Sequence, residues 1–124
     1  MYCNQPVKGA FFMANKTQML KGILEGCVLR ILSEEKLYSQ EICERFENLG
    51  VGGISRGTIL PLLLRMENEG WIAYEKCPIA NGPSRKYYSA TEKGIEELRS
   101  FEKEWKELYL MVNGILKGGE EDEK

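Results

Sequence analysis

The most constraining feature of the sequence is a change of hydrophobic period at Gly70. After it, residues 71–76 and 85–89 have the length and the aromatic or β-branched content of two strands. The connection between them, residues 77–84, contains two prolines and a glycine, which predicts an exposed loop rather than a two-residue turn. Before Gly70, four apolar residues recur at offsets typical of one helical face: Ile59, Leu62, Leu63 and Met66. A helix followed by a hairpin is therefore expected within residues 54–91.

The start of that helix is left between two residues, Ser55 and Thr58. Each has a hydroxyl group that can accept a hydrogen bond from a first-turn N–H. Pro61 would break a helix interior but is tolerated in a first turn. It therefore favours Thr58 as the N-cap, or a loosened turn that starts from Ser55.

Two further helical patterns precede this stretch. The first starts at Thr17 and places seven apolar residues on one stripe, namely Leu20, Ile23, Leu24, Cys27, Val28, Ile31 and Leu32. The second starts with Ser39 as its N-cap. Its predicted inner face consists of Ile42, Cys43, Phe46 and Leu49. Three glycines within residues 50–53 end this helix and allow a tight reversal. This order predicts a mainly α (α+β) fold, a winged helix-turn-helix with a two-stranded wing.

A long helix is predicted after the wing. Thr91 can serve as its N-cap, and Glu92 in the first turn suits the helix dipole. The apolar stripe then runs for about three heptads, through Ile95, Leu98, either Phe101 or Glu102, Trp105, Leu108, Val112 and Ile115. This stripe is longer than a small winged helix can cover, so the helix is expected to pack against a second copy of the chain.

These patterns divide the chain into four parts. Residues 1–18 are predicted to be an N-terminal arm or short helix, and residues 19–90 the winged-helix DNA-binding domain. Residues 91–117 are the predicted dimerisation helix. Residues 118–124, two glycines followed by charged residues, are predicted to be a disordered acidic tail.

The charge distribution is more informative than the net charge of −2. Residues 1–55 contain six basic and six acidic side chains, and residues 91–124 contain six basic against ten acidic. Residues 56–90 contain five basic against three acidic, so only this part is net basic. Because screening limits the reach of a charge to about 8 Å at physiological salt, the wing region can contact phosphates despite the acidic C-terminal part.

Several classes of site are not supported by the composition. The chain has no histidine, and its cysteines are widely spaced at positions 3, 27, 43 and 77, so we expect structural thiols, no metal site and no cofactor. No clustered nucleophile and base points to an enzyme. The sequence shows no run of about 18 apolar residues and no secretory signal, so a cytoplasmic protein with no membrane association is expected.

Three motifs resemble the PadR family of winged-helix transcriptional repressors, over roughly residues 20–115. They are GILEGCVLRIL, SRGTILPLLLRMENEGWI and GPSRKYYSATEKGIEEL. The third is the specific one, since the family typically has Gly-Pro, Arg-Lys-Tyr-Tyr and Thr-x-x-Gly in this order. The single long C-terminal helix is similar to the compact branch of the family. The resemblance implies a homodimer that binds a double-stranded DNA operator with two-fold symmetry and is often released by a small molecule.

The helix and hairpin context, together with the resemblance, predicts two sets of binding residues. The DNA-binding set is Ser39, Gln40, Ser55, Arg56, Thr58, Arg65, Ser84, Arg85 and Lys86. Within it, Arg56 suits a guanine edge and Lys86 suits a phosphate. A flat apolar cavity at the dimer axis would accept a planar aromatic small-molecule effector and would be formed by Trp105, Leu108 and Phe101. A multidrug-binding member of the family has a tryptophan at a similar place to Trp105.

The sequence departs from the family pattern at two places. Leu60 stands where the family usually has a tyrosine on the DNA-facing side of its helix, and Tyr38-Ser39-Gln40 replaces a Gly-Tyr pair.

The first interpretation of the whole sequence is a ligand-responsive dimeric repressor without catalytic activity. The alternative, supported by Leu60 and the acidic balance, is a winged-helix protein-interaction module that does not bind DNA.

Overall fold

The computed structural model describes residues 23–50 and 52–121. Its elements in chain order are α1 (residues 23–34 of the described part), α2 (Ser39–Asn48), α3 (Arg56–Asn68), β1 (Ile72–Ile79), β2 (Gly82–Ala90) and α4 (Glu92–Glu121). This order confirms the predicted winged helix-turn-helix with a long C-terminal helix. The predicted arm over residues 1–18, the predicted start of the first helix at Thr17 and residues 122–124 lie outside the described residues.

The core lies between α1, α2, α3 and the base of the hairpin. It is built from apolar side chains of every element: Leu24, Val28, Leu29, Leu32, Leu37, Ile42, Cys43, Phe46, Ile59, Leu63, Met66, Ile72, Tyr88 and Leu98. The predicted inner face of α2 is correct except at Leu49, whose side chain is 69% exposed. Because α2 ends at Asn48, Leu49 lies in the turn beyond the helix and does not continue the buried stripe.

Helix α2 begins one residue differently from the prediction. Tyr38, not Ser39, occupies the N-cap position, with extended backbone angles of −96° and 170°. The carboxylate of Glu41 accepts a hydrogen bond of 3.2 Å from the Tyr38 backbone N–H. This bond satisfies a donor at the helix start, and Ser39 is the first helical residue.

Helix α3 begins at Arg56 with Ser55 as its N-cap, so of the two predicted starts the structure has the one at Ser55 and not the one at Thr58. The Ser55 carbonyl accepts hydrogen bonds of 3.0 Å from the N–H groups of Thr58 and Ile59. Pro61 is therefore inside the helix. Since proline has no N–H, the carbonyl of Gly57 lacks its helical partner, but Gly57 is exposed and water can replace the missing donor.

The hairpin is longer and its turn tighter than predicted. Ile79 pairs with Gly82, so only Ala80 and Asn81 lie between the strands. The register is irregular between Cys77 and Ile79, which allows a proline to stand at position 78 without breaking a regular ladder. The other edge of β2 is also paired, because Leu37 and Tyr88 exchange two backbone hydrogen bonds of 3.2 and 2.8 Å.

Helix α4 is joined directly to the base of the hairpin. The Thr91 hydroxyl accepts a hydrogen bond of 3.0 Å from the Gly94 N–H and donates one of 2.6 Å to the Gly70 carbonyl. Gly94 lies against the Trp71 carbonyl so closely that any Cβ would overlap it. The predicted N-cap at Thr91 is thus confirmed. The helix continues to Glu121, so residues 118–121 are helical rather than disordered as predicted.

No helix within the described ranges is long and apolar enough to cross a membrane.

Candidate nucleic-acid interface

An open cleft of about 550 Å³ lies between the start of α2, the first turns of α3 and the strand β2. Its lining includes Tyr38, Ser39 and Gln40 from the start of α2, Arg56 and Leu60 from α3, and Ser84, Arg85, Lys86 and Tyr88 from β2. Three separate elements therefore contribute polar or cationic side chains to one surface. A surface of this kind can receive a polyanion, since cations and hydroxyl groups are the common partners of phosphate oxygens.

Six of the nine side chains that the sequence predicts for DNA contact meet in this cleft: Ser39, Gln40, Arg56, Ser84, Arg85 and Lys86. Ser55 lies beside it, in a second hollow of about 430 Å³ that also includes Gln40 and Arg56. Thr58 is half-buried in the first turn of α3 and lines neither hollow. Ser39 and Ser84 therefore share the cleft with the cations, Ser55 lies in the adjoining hollow, and Thr58 lies outside both.

Arg65 is not part of this surface. Its guanidinium donates a hydrogen bond of 2.7 Å to the Glu25 carboxylate on α1 and lies 5.4 Å from the ring centre of Trp71. Arg65 is nine residues beyond Arg56 on α3, which is about two and a half turns and places it on the opposite side of the helix. The structure thus separates Arg65 from the other predicted contacts.

The two cations of the wing lie over tyrosine rings. The Arg85 guanidinium carbon is 4.3 Å from the ring centre of Tyr38, and Tyr38 in turn contacts Tyr87 edge-on at 5.4 Å. The Lys86 ammonium is 4.5 Å from the ring centre of Tyr74. Such contacts contribute about 0.5–1 kcal/mol at exposed sites and restrict the cation without neutralising it.

Arg56, Arg85 and Lys86 keep their charge available to a ligand. Among the described residues, no carboxylate lies within ion-pair distance of any of the three. Lys76 lies directly opposite Lys86 in the hairpin and adds to the local positive potential. The cleft is therefore positive although the whole chain carries a net charge of −2.

The two wing cations both line the cleft although they lie on opposite sides of β2, as the alternation of a strand requires. Arg85 and Tyr87 lie on the side of the hairpin that contacts Tyr38, whereas Lys86 and Tyr88 lie on the side that carries Tyr74. Tyr88 is buried and Tyr87 is half-buried. The sequence analysis did not identify Tyr38 or Tyr74 as ring partners of these cations.

A second unusual surface lies on the distal half of α4. Apolar side chains there are between 41% and 72% exposed, and they comprise Trp105, Leu108, Tyr109, Leu110, Met111, Val112, Ile115 and Leu116. Five of them are consecutive, so this part of the helix is apolar on all sides. A helix of that kind is normally covered by other protein.

Phe101, Trp105 and Leu108 are separated by three or four residues and so share one face of α4. Only Phe101 is half-buried, because its ring lies against Gly26 on α1. The Trp105 ring is exposed and lies 6.0 Å from that of Tyr109. The structure thus places the three predicted effector-binding residues along one face of α4, with Phe101 already packed against α1 of the same chain.

The comparisons with known proteins identify the family. Residues 28–100 match the model of the transcriptional regulator PadR-like family. The chain belongs to this family. Its fold is similar to a PadR-like transcriptional regulator from Bacillus cereus, with 43% identity, a TM-score of 0.73, and coverage of 81% of this chain and 97% of that chain.

Two further relatives extend the likeness. A PadR family regulator from Eggerthella lenta is 28% identical with a TM-score of 0.74, and the alignment covers 87% of this chain and 95% of that chain. A Lysinibacillus sphaericus protein named "Uncharacterized protein X" is 26% identical over 105 residues, which are 83% of this chain and 96% of that protein. The PadR-like family consists of transcriptional regulators, not enzymes.

The matched region of this PadR-like chain contains every residue of the cleft and ends before the exposed apolar part of α4. The family model therefore covers the first surface and not the second. Of the cysteines, Cys43 lies in the core, and Cys27 is half-buried and packs against the core. Burial raises the pKa of the Cys27 and Cys43 thiols above their usual value, as expected for structural thiols.

Proposed function

We propose that this PadR-like protein is a homodimeric repressor that binds a two-fold symmetric DNA operator and is released by a planar aromatic effector. The observation that carries the proposal is the cleft, where Arg56, Arg85 and Lys86 lie together without carboxylate partners among the described residues. In this assignment Arg56 lies toward base edges in the major groove, and the wing cations contact phosphates beside it.

The hydroxyl and amide groups of the cleft complete the proposed DNA contact. Ser39, Gln40 and Ser84 offer neutral donors to phosphate oxygens, the first two from α2 and the third from β2. Ser55 and Thr58 lie at the start of α3, where backbone N–H groups also favour an anion. Arg65 is left out of the proposed contact, because its guanidinium is held by Glu25 away from the cleft.

Dimerisation is supported by the exposed apolar surface of α4. At 30 residues the helix is about 45 Å long, and its distal half carries the stripe from Trp105 to Leu116. A second copy of the same helix would bury this stripe and bring two clefts into a two-fold arrangement. The two copies of α3 would then face half-sites about 34 Å apart.

The proposed effector site lies between the long helices of the dimer. Trp105 and Leu108 would form its walls, with Phe101 at the end that α1 covers. A planar aromatic molecule between two tryptophans gains both apolar burial and ring stacking. It would release DNA only if it binds one angle between the helices better than the other, because equal affinity for both angles shifts no population.

The first test is binding to the DNA upstream of the protein's own gene, because many repressors regulate their own expression. The proposed repressor would act in the cytoplasm. Fluorescence anisotropy at rising salt should give an affinity that falls linearly on a log–log scale. Sedimentation on the same sample should show a dimer. A dimer with no salt-sensitive binding to any duplex at low ionic strength would contradict the repressor and favour the protein-interaction module.

A further inference from the structure

Helix α3 presents a cation and two leucines along one side. Arg56, Leu60 and Leu64 are four residues apart, so each lies one turn beyond the previous one. Leu60 is 42% exposed and lines the cleft, whereas Leu64 is 60% exposed and does not. Leu60 is thus the one aliphatic side chain among the nine that line the described cleft.

A single exposed leucine is ordinary on a protein surface and needs no special explanation. Leu60 differs in its surroundings, since Ser39, Gln40 and Arg85 line the same cleft and Arg56 is one turn away. A polyanion bound there would bring nucleic acid against Leu60. A leucine can donate and accept no hydrogen bond, so it contributes to recognition only where the ligand is apolar.

The major groove of DNA has one such apolar feature, the C5-methyl group of thymine. Arg56 and Leu60 are about 6 Å apart along the helix axis, which is close to the rise of two base pairs. The same helix can therefore contact a guanine edge through Arg56 and a methyl group about two base pairs away through Leu60.

We infer that Leu60 is a specificity-determining residue that contacts a thymine methyl group in each operator half-site. The inference rests on the proposed function, because it requires DNA in the cleft. It states which chemistry the site prefers: a pyrimidine with a 5-methyl group in place of the same base without one. The contact adds sequence preference, whereas the wing cations add affinity for any sequence.

The test begins with a duplex selected from a random pool by the unaltered protein at low ionic strength. Each thymine of the selected half-site is then replaced by deoxyuridine, which removes only the methyl group and leaves base pairing intact. Losing one buried methyl group should weaken binding about 4-fold. Replacement in both half-sites should weaken it on the order of 15-fold, because distant sites act additively.

Two variants assign the effect to a side chain. Leu60→Ala should bind the thymine and uracil duplexes equally, because the group that contacts the methyl is gone. Leu64→Ala is the matched control: it removes an exposed leucine from the same side of α3 but outside the cleft, and it should keep the full discrimination. Neither leucine belongs to the buried core, and a thermal melt checks that both variants stay folded.

The outcomes separate the inference from the function on which it rests. Failure to select any duplex with salt-dependent affinity would overturn the proposed DNA binding and the inference with it. Selected duplexes that tolerate uracil at every thymine would overturn the inference alone, and this result needs no variant to fold. Discrimination between thymine and uracil that survives in Leu60→Ala, or disappears in Leu64→Ala, would also overturn the inference. Neither result would contradict the proposed repressor function.

Discussion

The contact between Gly26 and Phe101 predicts that Gly26→Ala lowers the free energy of unfolding when the Phe101 ring is present and raises it when the ring is removed. Gly26 is buried on α1, and a Cβ built there would overlap the Phe101 ring on α4. Gly26→Ala gains about 0.5–1 kcal/mol because alanine is the better helix residue. It also overpacks the interface, which costs about 1–3 kcal/mol. We therefore expect the variant to be destabilised, by about 1 kcal/mol.

Removing the ring should reverse this effect. Phe101→Ala alone is expected to cost about 2 kcal/mol, less than the 3–5 kcal/mol for a fully buried phenylalanine because Phe101 is half-buried. In that background Gly26→Ala no longer meets the ring, and only its helix preference remains. It should then stabilise the protein by about 0.5–1 kcal/mol. The coupling energy of the cycle is the relieved overpacking, about 1–3 kcal/mol.

The assay is urea unfolding of the four proteins at one fixed protein concentration, since the apparent stability of the proposed dimer would depend on concentration. Gly57→Ala is the control, because Gly57 is a helical glycine of α3 whose Cβ would meet only the Ser55 hydroxyl at 3.5 Å. It should be neutral or stabilising in both backgrounds. If Gly26→Ala behaved in the same way with the Phe101 ring present, the two helices would not pack as described and the reasoning would fail.

Other consequences of the structure can be measured on the same protein. Changing Arg85 and Lys86 together to alanine should reduce the slope of log affinity against log salt by about 0.9 per lost phosphate contact, or by roughly 3–4 for a dimer. The control is Arg65→Ala, which removes an arginine held outside the cleft and should leave the slope unchanged. Equal slopes in the unaltered protein and both variants would show that the wing does not contact DNA. Trp105→Leu should abolish the fluorescence quenching caused by planar aromatic effectors. Quenching of the remaining Trp71 to the same extent would refute the proposed effector site. Thr91→Ala should lower the free energy of unfolding by about 1–2 kcal/mol in urea, because the α4 cap and a bond to the hairpin are lost together; a change within the error of the measurement would show that the cap contributes nothing.

The sequence predicted best where the determinants are local. The inner face of α3 follows from helical spacing, and the hydroxyl of Thr91 caps a helix that starts directly after it. The start of α3 stayed open between Ser55 and Thr58, because Pro61 counted against a helix that begins at Arg56. The exposed Gly57 carbonyl can accept a hydrogen bond from water in place of the missing N–H of Pro61. A proline in the second turn of a surface helix is therefore tolerated.

Long-range contacts were beyond the reach of sequence patterns. The ring of Tyr38 meets Arg85 only because the bridge between Leu37 and Tyr88 brings the start of α2 beside β2. Arg65 has the same residue type and the same helix as Arg56, yet its partner Glu25 lies 40 positions earlier in the chain. Helical spacing shows that the two arginines lie on opposite sides of α3, but only the packed structure shows which side faces the cleft.

The contacts at Thr91 and Gly94 fix the start of α4 to the base of the hairpin, so the helix and the winged helix are expected to move together. The α4 cap is bonded to Gly70, and the absence of a side chain at Gly94 lets the helix rest directly on the backbone at the start of β1. A rotation of about 10° about the far end of a helix about 45 Å long moves the near end by about 8 Å. That displacement exceeds two base-pair steps, so in the proposed dimer a small tilt between the two copies would put one cleft out of phase with the double helix.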